Sequence, residues 1–192
     1  MVPDEKDIKV FLETVRNISD YDFSNYSMNS LKRRVQKLIN DHQIDARQLT
    51  EKIRFDNLFL EEVIKKITVN TTELFRDPFI WQNLRDNVIP LYKDKNVISI
   101  WHAGCSTGQE VYSMIILLNE MNLLDKCEVY ASDINTDVLE LAQKGVYKYR
   151  FNQEYLKNFD EVINSGKNEH EQVPYSKYFY IDKQKDTLTI KK

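Results

Sequence analysis

In the first third of the chain apolar residues recur at helical spacing, and beyond it they gather into short runs separated by polar turns. Ile8, Phe11, Leu12 and Val15 fall three and four apart, which predicts a helix over about residues 4–18. Leu31, Val35, Leu38 and Ile39 do the same for a second helix around residues 31–40. Two more are expected over about residues 45–55 and 57–67, with short polar joints between them. Each would present one apolar stripe, and stripes of this kind are buried by packing on one another. A small all-helical N-terminal domain, residues 1–68, is therefore expected.

From residue 69 the pattern changes. A Thr-rich segment, residues 68–75, leads to Asp77-Pro78, which reads as a helix start with Asp as cap and Pro in the first turn; that helix is expected to run to about residue 92. The apolar run 97–101 then opens into Gly104-Cys105-Ser106-Thr107-Gly108, and an amphipathic helix over about residues 110–122 follows. A second buried strand is expected over 127–132, then a helix over 135–144 stopped by Gly145 at its C-terminal cap. Residues 177–181 and 187–190 flank a polar Asp-Lys-Gln-Lys-Asp turn and predict a β-hairpin at about 175–192. The fold class is therefore α/β: the helical domain, then a Rossmann-like domain over 69–192.

Composition removes several function classes. The net charge of −3 gives no basic footprint for nucleic acid. No apolar run approaches the roughly 20 residues that span a bilayer, and the N-terminus, rich in Asp and Lys, lacks a signal-peptide core. A cytoplasmic location without membrane insertion is expected. Cys105 and Cys127 form no C-x-x-C pair and read as reduced, small core residues. His42, His102 and His170 are too scattered for zinc-ligand spacing, so no metal is expected. His102, at the end of a strand, reads as a hydrogen-bonded structural group.

Candidate chemistry concentrates where strand, glycine loop and helix succeed one another. Two of the four glycines stand in this loop, where glycine permits positive φ and close backbone approach, and the helix start leaves N–H groups free. The second strand ends at Asp133, about where a Rossmann-like fold places its ribose-binding carboxylate. The loop lacks the three-glycine dinucleotide fingerprint, and no G-x-x-x-x-G-K-[ST] run is present, so a ribose ligand without phosphates is favoured. S-adenosylmethionine fits, with a ribose diol for Asp133, an ammonium for a carboxylate such as Glu110, and a carboxylate that needs a cation. Glu110 keeps two readings, cofactor contact or ordinary acid at a helix start.

Three separated segments carry a specific resemblance: Ile67-Thr68-Val69-Asn70-Thr71-Thr72-Glu73-Leu74-Phe75-Arg76-Asp77-Pro78, Ser106-Thr107-Gly108-Gln109-Glu110-Val111-Tyr112-Ser113 and Ala131-Ser132-Asp133-Ile134-Asn135. With Asp22-Phe23-Ser24-Asn25-Tyr26, Leu31-Lys32-Arg33-Arg34-Val35 and Lys144-Gly145-Val146-Tyr147, they make the chain resemble the CheR family of chemotaxis-receptor methyltransferases. The resemblance implies methyl transfer from S-adenosyl-L-methionine to glutamates on the cytoplasmic domain of methyl-accepting chemotaxis receptors, leaving S-adenosyl-L-homocysteine. It implies cofactor contacts at Asn70, Thr72, Arg76, Glu110 and Asp133. It also implies receptor docking by Lys32, Arg33, Arg34 and Lys37, whose reading from the residues alone is a solvated helix face. The terminal hairpin resembles part of the family's inserted β-subdomain.

Two departures accompany the resemblance. Gln109 stands where the family usually has the first of two acids. Family segments downstream, an Asn-Leu pair and an Arg-Asn-Val stretch near a tyrosine, do not occur before Lys192, so the second domain is expected to be a truncated class I methyltransferase domain, weakly active or inactive alone. A glutamate carboxylate, with an ordinary pKa of about 4.3, is already ionised near neutrality and needs no general base. Catalysis then reduces to holding reacting atoms about 3–3.5 Å apart and in line. Arg76 is the expected catalytic residue, because its planar fork holds a carboxylate by two hydrogen bonds. The alternative readings are a non-catalytic module that binds S-adenosylmethionine or its demethylated product, and a different small-molecule methyltransferase.

Overall fold

The structure, a computed structural model, describes residues 3–191, and these separate into two compact units that divide between Val69 and Asn70. The first unit is four helices: α1 (Glu5–Ile18), α2 (Met28–His42), α3 (Ala46–Phe55) and α4 (Asn57–Ile67). Aspartates begin three of them. Asp4 and Asp7 bond each other's backbone N–H across the first turn of α1, Asp45 and Gln48 do so on α3, and Asp56 accepts from Phe59 N on α4. Each cap satisfies N–H groups that a helix start leaves without partners, which contributes about 1 kcal/mol. The apolar stripes meet in one core of Ile8, Phe11, Val15, Leu31, Val35, Leu49, Ile53, Val63 and Ile67, all buried.

The second unit carries two small sheets. Strands β1 (Ile98–Ala103) and β2 (Cys127–Ser132) pair in parallel, from Ile98 opposite Cys127 to Ala103 opposite Ser132. Helix α6 (Gln109–Glu120) joins them and buries Leu117 and Leu118 completely. Before β1 comes α5 (Pro78–Asn83); after β2 comes α7 (Thr136–Lys144), which ends on Gly145 at φ +61°, as a left-handed C-terminal cap requires. The expected hairpin is present as β4 (Phe179–Asp182) and β5 (Thr187–Ile190). It belongs to a three-stranded antiparallel sheet, because β3 (Val146–Lys148), not foreseen in the sequence, pairs with the other side of β5.

The expected helix over residues 78–92 is broken. α5 passes into a π-turn at Leu84–Val88 and a 3-10 turn at Ile89–Tyr92. Pro90 supplies no N–H, and its ring would press on the carbonyl four residues earlier, so regular α geometry ends before it. The stretch between β3 and β4 winds through α8 (Tyr149–Asn152), α9 (Tyr155–Phe159) and a second π-turn at Asp160–Asn164. Phe159, fully buried, is the hub of this region, with the rings of Phe75, Tyr175 and Phe179 packed edge-on around it at 5.5–5.9 Å between centroids.

The faces of the parallel sheet differ. Ile100 and Val129 pack on the core, while Trp101 and Tyr130, opposite each other in register, are 70% and 56% exposed. Parallel sheets are ordinarily covered on both faces, and this face is open. Among the described residues no helix is long and apolar enough to cross a membrane.

Candidate functional site

The loop between β1 and α6 is built from backbone turns that few residues tolerate. Gly104, Ser106 and Gly108 all have positive φ, at +78°, +51° and +90°. Ser132 O accepts from both Gly104 N and Cys105 N, at 2.8 and 2.9 Å, and so pins the loop to the end of β2. The two glycines serve different needs. A Cβ on Gly104 would meet nothing within 4 Å, whereas one on Gly108 would stand 2.8 Å from Ala142 Cβ. The close approach inferred from the glycines is therefore, at Gly108, an approach to α7 and not to a ligand.

Asp133 fastens this loop from the other side. Its Oδ2 accepts Ser106 N and its Oδ1 accepts Asn135 N, each at 2.8 Å. A carboxylate offers about four lone-pair sites, so one on each oxygen remains. Asp133 is thus a loop anchor with residual capacity, which the sequence reading, with its ribose diol alone, did not anticipate.

Arg76 is displayed by a strained segment. Phe75 and Asp77, its neighbours on both sides, have φ of +50° and +55°. For a residue as bulky as Phe this is an outlier that costs on the order of 1–3 kcal/mol. Burial holds it: Phe75 is fully enclosed, its ring lies edge-on to Trp81 at 5.4 Å, and its N–H donates to Ser113 Oγ at 2.8 Å. Trp81 Nε1 then donates to Arg76 O at 2.9 Å. With Phe75 turned inward, Arg76 is turned outward, 59% exposed and only at the limit of an ion pair with Asp77 at 4.0 Å. Asp77 itself makes no side-chain capping bond to α5, contrary to the cap expected of it, because its left-handed conformation is not the extended one that capping uses.

A cavity of about 380 Å³ opens between this segment and the loop, lined among others by Thr72, Arg76, Trp81, His102, Gly104 and Glu110. Glu110 lies in the first turn of α6, where the helix dipole favours negative charge. His102 Nδ1 is 2.9 Å from Glu110 Oε1. That hydrogen bond, with smaller electrostatic contributions from His102 and then Arg76, holds the Glu110 carboxyl below the usual carboxylate range against the opposing effect of burial. A larger open groove of about 960 Å³ runs beside β4 and β5, but neither the loop nor the Arg76 segment lines it, so volume does not identify the site.

Of the cofactor-contact residues expected from the sequence, Thr72, Arg76 and Glu110 line the cavity, and Asp133 and Asn70 do not. His102 was expected to be structural, and it bonds a residue of the site. Its position two residues before Gly104 was the available signal. Cys105 is buried, and desolvation, then the nearby Asp133 and Glu110 charges, push its thiol up, away from the reactive thiolate range. On α2, Arg33 and Lys37 are exposed and Lys32 is half-buried. Arg34 is engaged otherwise: its Nη1 donates to Lys66 O and Thr68 O, at 3.3 and 3.2 Å, at the end of α4. The contact follows from the orphan carbonyls a helix end presents to a nearby cation.

Comparison with known proteins bears on both units. A family model described as "CheR methyltransferase, all-alpha domain" matches residues 6–68, and one described as "CheR methyltransferase, SAM binding domain" matches residues 70–174. A Pseudomonas putida protein named "Putative methyltransferase Cher3" is 36% identical over 154 residues, 80% of this chain and 56% of its own length. A "Chemotaxis protein methyltransferase" of Listeria innocua is 30% identical over 78% of this chain and 59% of its own length. One of the same name from Borreliella burgdorferi is 29% identical over 65% and 51%. The chain thus spans little more than half the length of these relatives.

Proposed function

Because this chain belongs to the CheR family of methyltransferases, with S-adenosylmethionine as cofactor, we propose that the cavity between Arg76 and Glu110 is the cofactor site of a protein-glutamate O-methyltransferase. The substrates in this reading are glutamate side chains on the cytoplasmic domain of chemotaxis receptors, which become methyl esters. Residues 1–68 act as the receptor-docking domain and residues 69–192 carry the cofactor-binding part. The activity is cytoplasmic, where those receptor domains lie.

The observation that carries the reading is the pairing of opposite charges across one cavity at a glycine loop. An ammonium and a carboxylate on the same ligand need an anion and a cation of this kind. The available groups fit: the Glu110 carboxyl is held in its charged form, Arg76 offers five N–H donors, and Gly104 leaves open space where any other residue would place a Cβ. A volume of about 380 Å³ falls in the usual range for small-molecule sites.

When bound, S-adenosylmethionine supplies a methyl carbon made electrophilic by its sulfonium. Glu110 would hold the ammonium, and Thr72 would add a hydrogen bond from the segment before Arg76. Asp133 and Asn70, outside the cavity's lining, would meet the ligand where it extends beyond the cavity, Asp133 accepting from the ribose hydroxyls on its free lone pairs. Arg76 orients a carboxylate, the cofactor's or the substrate's, with its planar fork. No residue has to remove a proton, since the substrate carboxylate is ionised. Cations on α2, the exposed Arg33 and Lys37 and the half-buried Lys32, steer the acidic receptor surface.

The test is transfer of radiolabelled methyl from S-adenosylmethionine to a receptor cytoplasmic fragment, alongside calorimetry with S-adenosylhomocysteine. Label released as methanol by mild base, and absent when the receptor glutamates are changed to alanine, is the expected result. Binding without any transfer to receptor would instead favour a non-catalytic module.

A further inference from the structure

We propose that His102 is a positioning residue of the cofactor site, which fixes the Glu110 carboxylate in the orientation that receives the cofactor's ammonium group. The inference rests on the cofactor reading above and deepens it by one residue.

Three observations carry it. First, the two side chains differ in mobility: Glu110 is 57% exposed, whereas His102 is 6% exposed on a paired strand. A glutamate so exposed would sample several rotamers, and a bond to a rigid partner selects one. Secondly, the partner atom is determined. An ionised carboxylate only accepts, so at 2.9 Å His102 Nδ1 must carry the hydrogen. Thirdly, Nε2 of the same ring is buried and finds no partner among the protein atoms. Nδ1 is therefore the ring atom through which His102 acts on another side chain, and that side chain is Glu110.

An arginine or lysine in place of His102 would also hold the carboxylate, but would set a permanent positive charge beside it, in competition with a ligand cation. The other charged group that acts on the Glu110 carboxyl is Arg76, from the strained segment. Arg76 is exposed and directed to the cavity, so it does not replace the buried donor.

The experiment compares two ligands by calorimetry: S-adenosylhomocysteine, and 5′-methylthioadenosine, which keeps the nucleoside and thioether but lacks the amino acid. His102→Ala is expected to weaken S-adenosylhomocysteine roughly 5- to 30-fold and to leave methylthioadenosine unchanged. His102→Asn, whose amide nitrogen reaches the place of Nδ1, is expected to restore most of the loss. By carbon-detected NMR the Glu110 carboxyl should titrate higher in His102→Ala than in the unaltered protein, towards the ordinary carboxylate value. Equal weakening of both ligands would show a merely structural histidine and overturn the proposal, as would an unchanged affinity for S-adenosylhomocysteine. If Glu110→Gln also leaves that affinity unchanged, the cofactor reading itself has failed. If only His102→Ala does so, that reading stands and the role of His102 falls.

Discussion

Replacing each loop glycine by alanine separates two costs that the sequence presents as one. Gly104 and Gly108 both have positive φ, +78° and +90°, so alanine at either pays the left-handed penalty of about 1–2 kcal/mol. Only at Gly108 does the new Cβ collide, at 2.8 Å from Ala142 Cβ and 3.1 Å from Ala142 Cα. The second of these is backbone, which cannot rotate away, so overpacking adds about 1–3 kcal/mol there. Gly108→Ala should therefore destabilise the second unit by about 2–5 kcal/mol and Gly104→Ala by about 1–2 kcal/mol. The lost chain entropy of glycine is common to both and cancels in the comparison. Urea unfolding followed by tryptophan fluorescence reads this directly, because the chain's two tryptophans, Trp81 and Trp101, both lie in residues 70–192. With a slope of about 1–3 kcal/mol per molar urea, the midpoint should fall on the order of 1–2 M for Gly108→Ala and distinctly less for Gly104→Ala. Coincident midpoints would refute the steric argument and with it the packing of α7 on the loop.

Arg34→Ala should loosen the end of α4 by about 1–3 kcal/mol, read as faster amide exchange near residues 64–68, because its guanidinium no longer meets the carbonyls of Lys66 and Thr68. Arg33→Glu with Lys37→Glu should instead slow methylation of intact receptor, most at low salt, without altering cofactor affinity; equal rates would return these residues to a solvated face. Asp133→Ala should weaken S-adenosylhomocysteine by about 1–3 kcal/mol and also speed amide exchange at Ser106, since Asp133 accepts that N–H. The lowered Glu110 pKa fixes the sign of a pH effect: the charged form is present above the depressed value and lost as pH falls through it, so affinity should hold between about pH 7 and 5. A decline that begins above pH 5 would contradict it.

Legibility in the sequence followed the strength of local rules. Asp4, Asp45 and Asp56 mark helix starts, and the bodies of α1, α3 and α4 have an unambiguous period, so those helices lie within a residue of where the pattern puts them. The strand, glycine loop and helix from Ile98 to Glu120 were equally plain. Residues 146–164 were not. Val146, Tyr147, Tyr149, Phe151, Tyr155, Leu156 and Phe159 follow no single period, because they serve a three-residue strand, two helices of four and five residues and a π-turn. Asp77-Pro78 carried the signature of a cap, yet the chain enters α5 in a conformation that no dipeptide rule encodes. His102 was read from its own strand, while its partner lies eight residues later, across the loop.

The distribution of strain ties the fold to the site. Among the described residues six non-glycine positions have positive φ. Gln43 ends α2, Asn122 follows α6 and Asp186 turns between β4 and β5, all places where a polar residue commonly accepts this geometry. Phe75, Asp77 and Ser106 have no such excuse. Two of them flank Arg76 and the third stands between the loop glycines, so all three lie within two residues along the chain of one that lines the cavity, and Asp77 lines it itself. Two of the three are held by their contacts: Phe75 by Trp81, Phe159 and Ser113, and Ser106 by Asp133. Relaxing Phe75 would carry the aromatic ring out of the core and Arg76 away from Glu110 together. The packing energy of the aromatic cluster is thereby coupled to the placement of a charged side chain, and a substitution such as Phe159→Leu, remote from the cavity lining, acts on the site through that coupling.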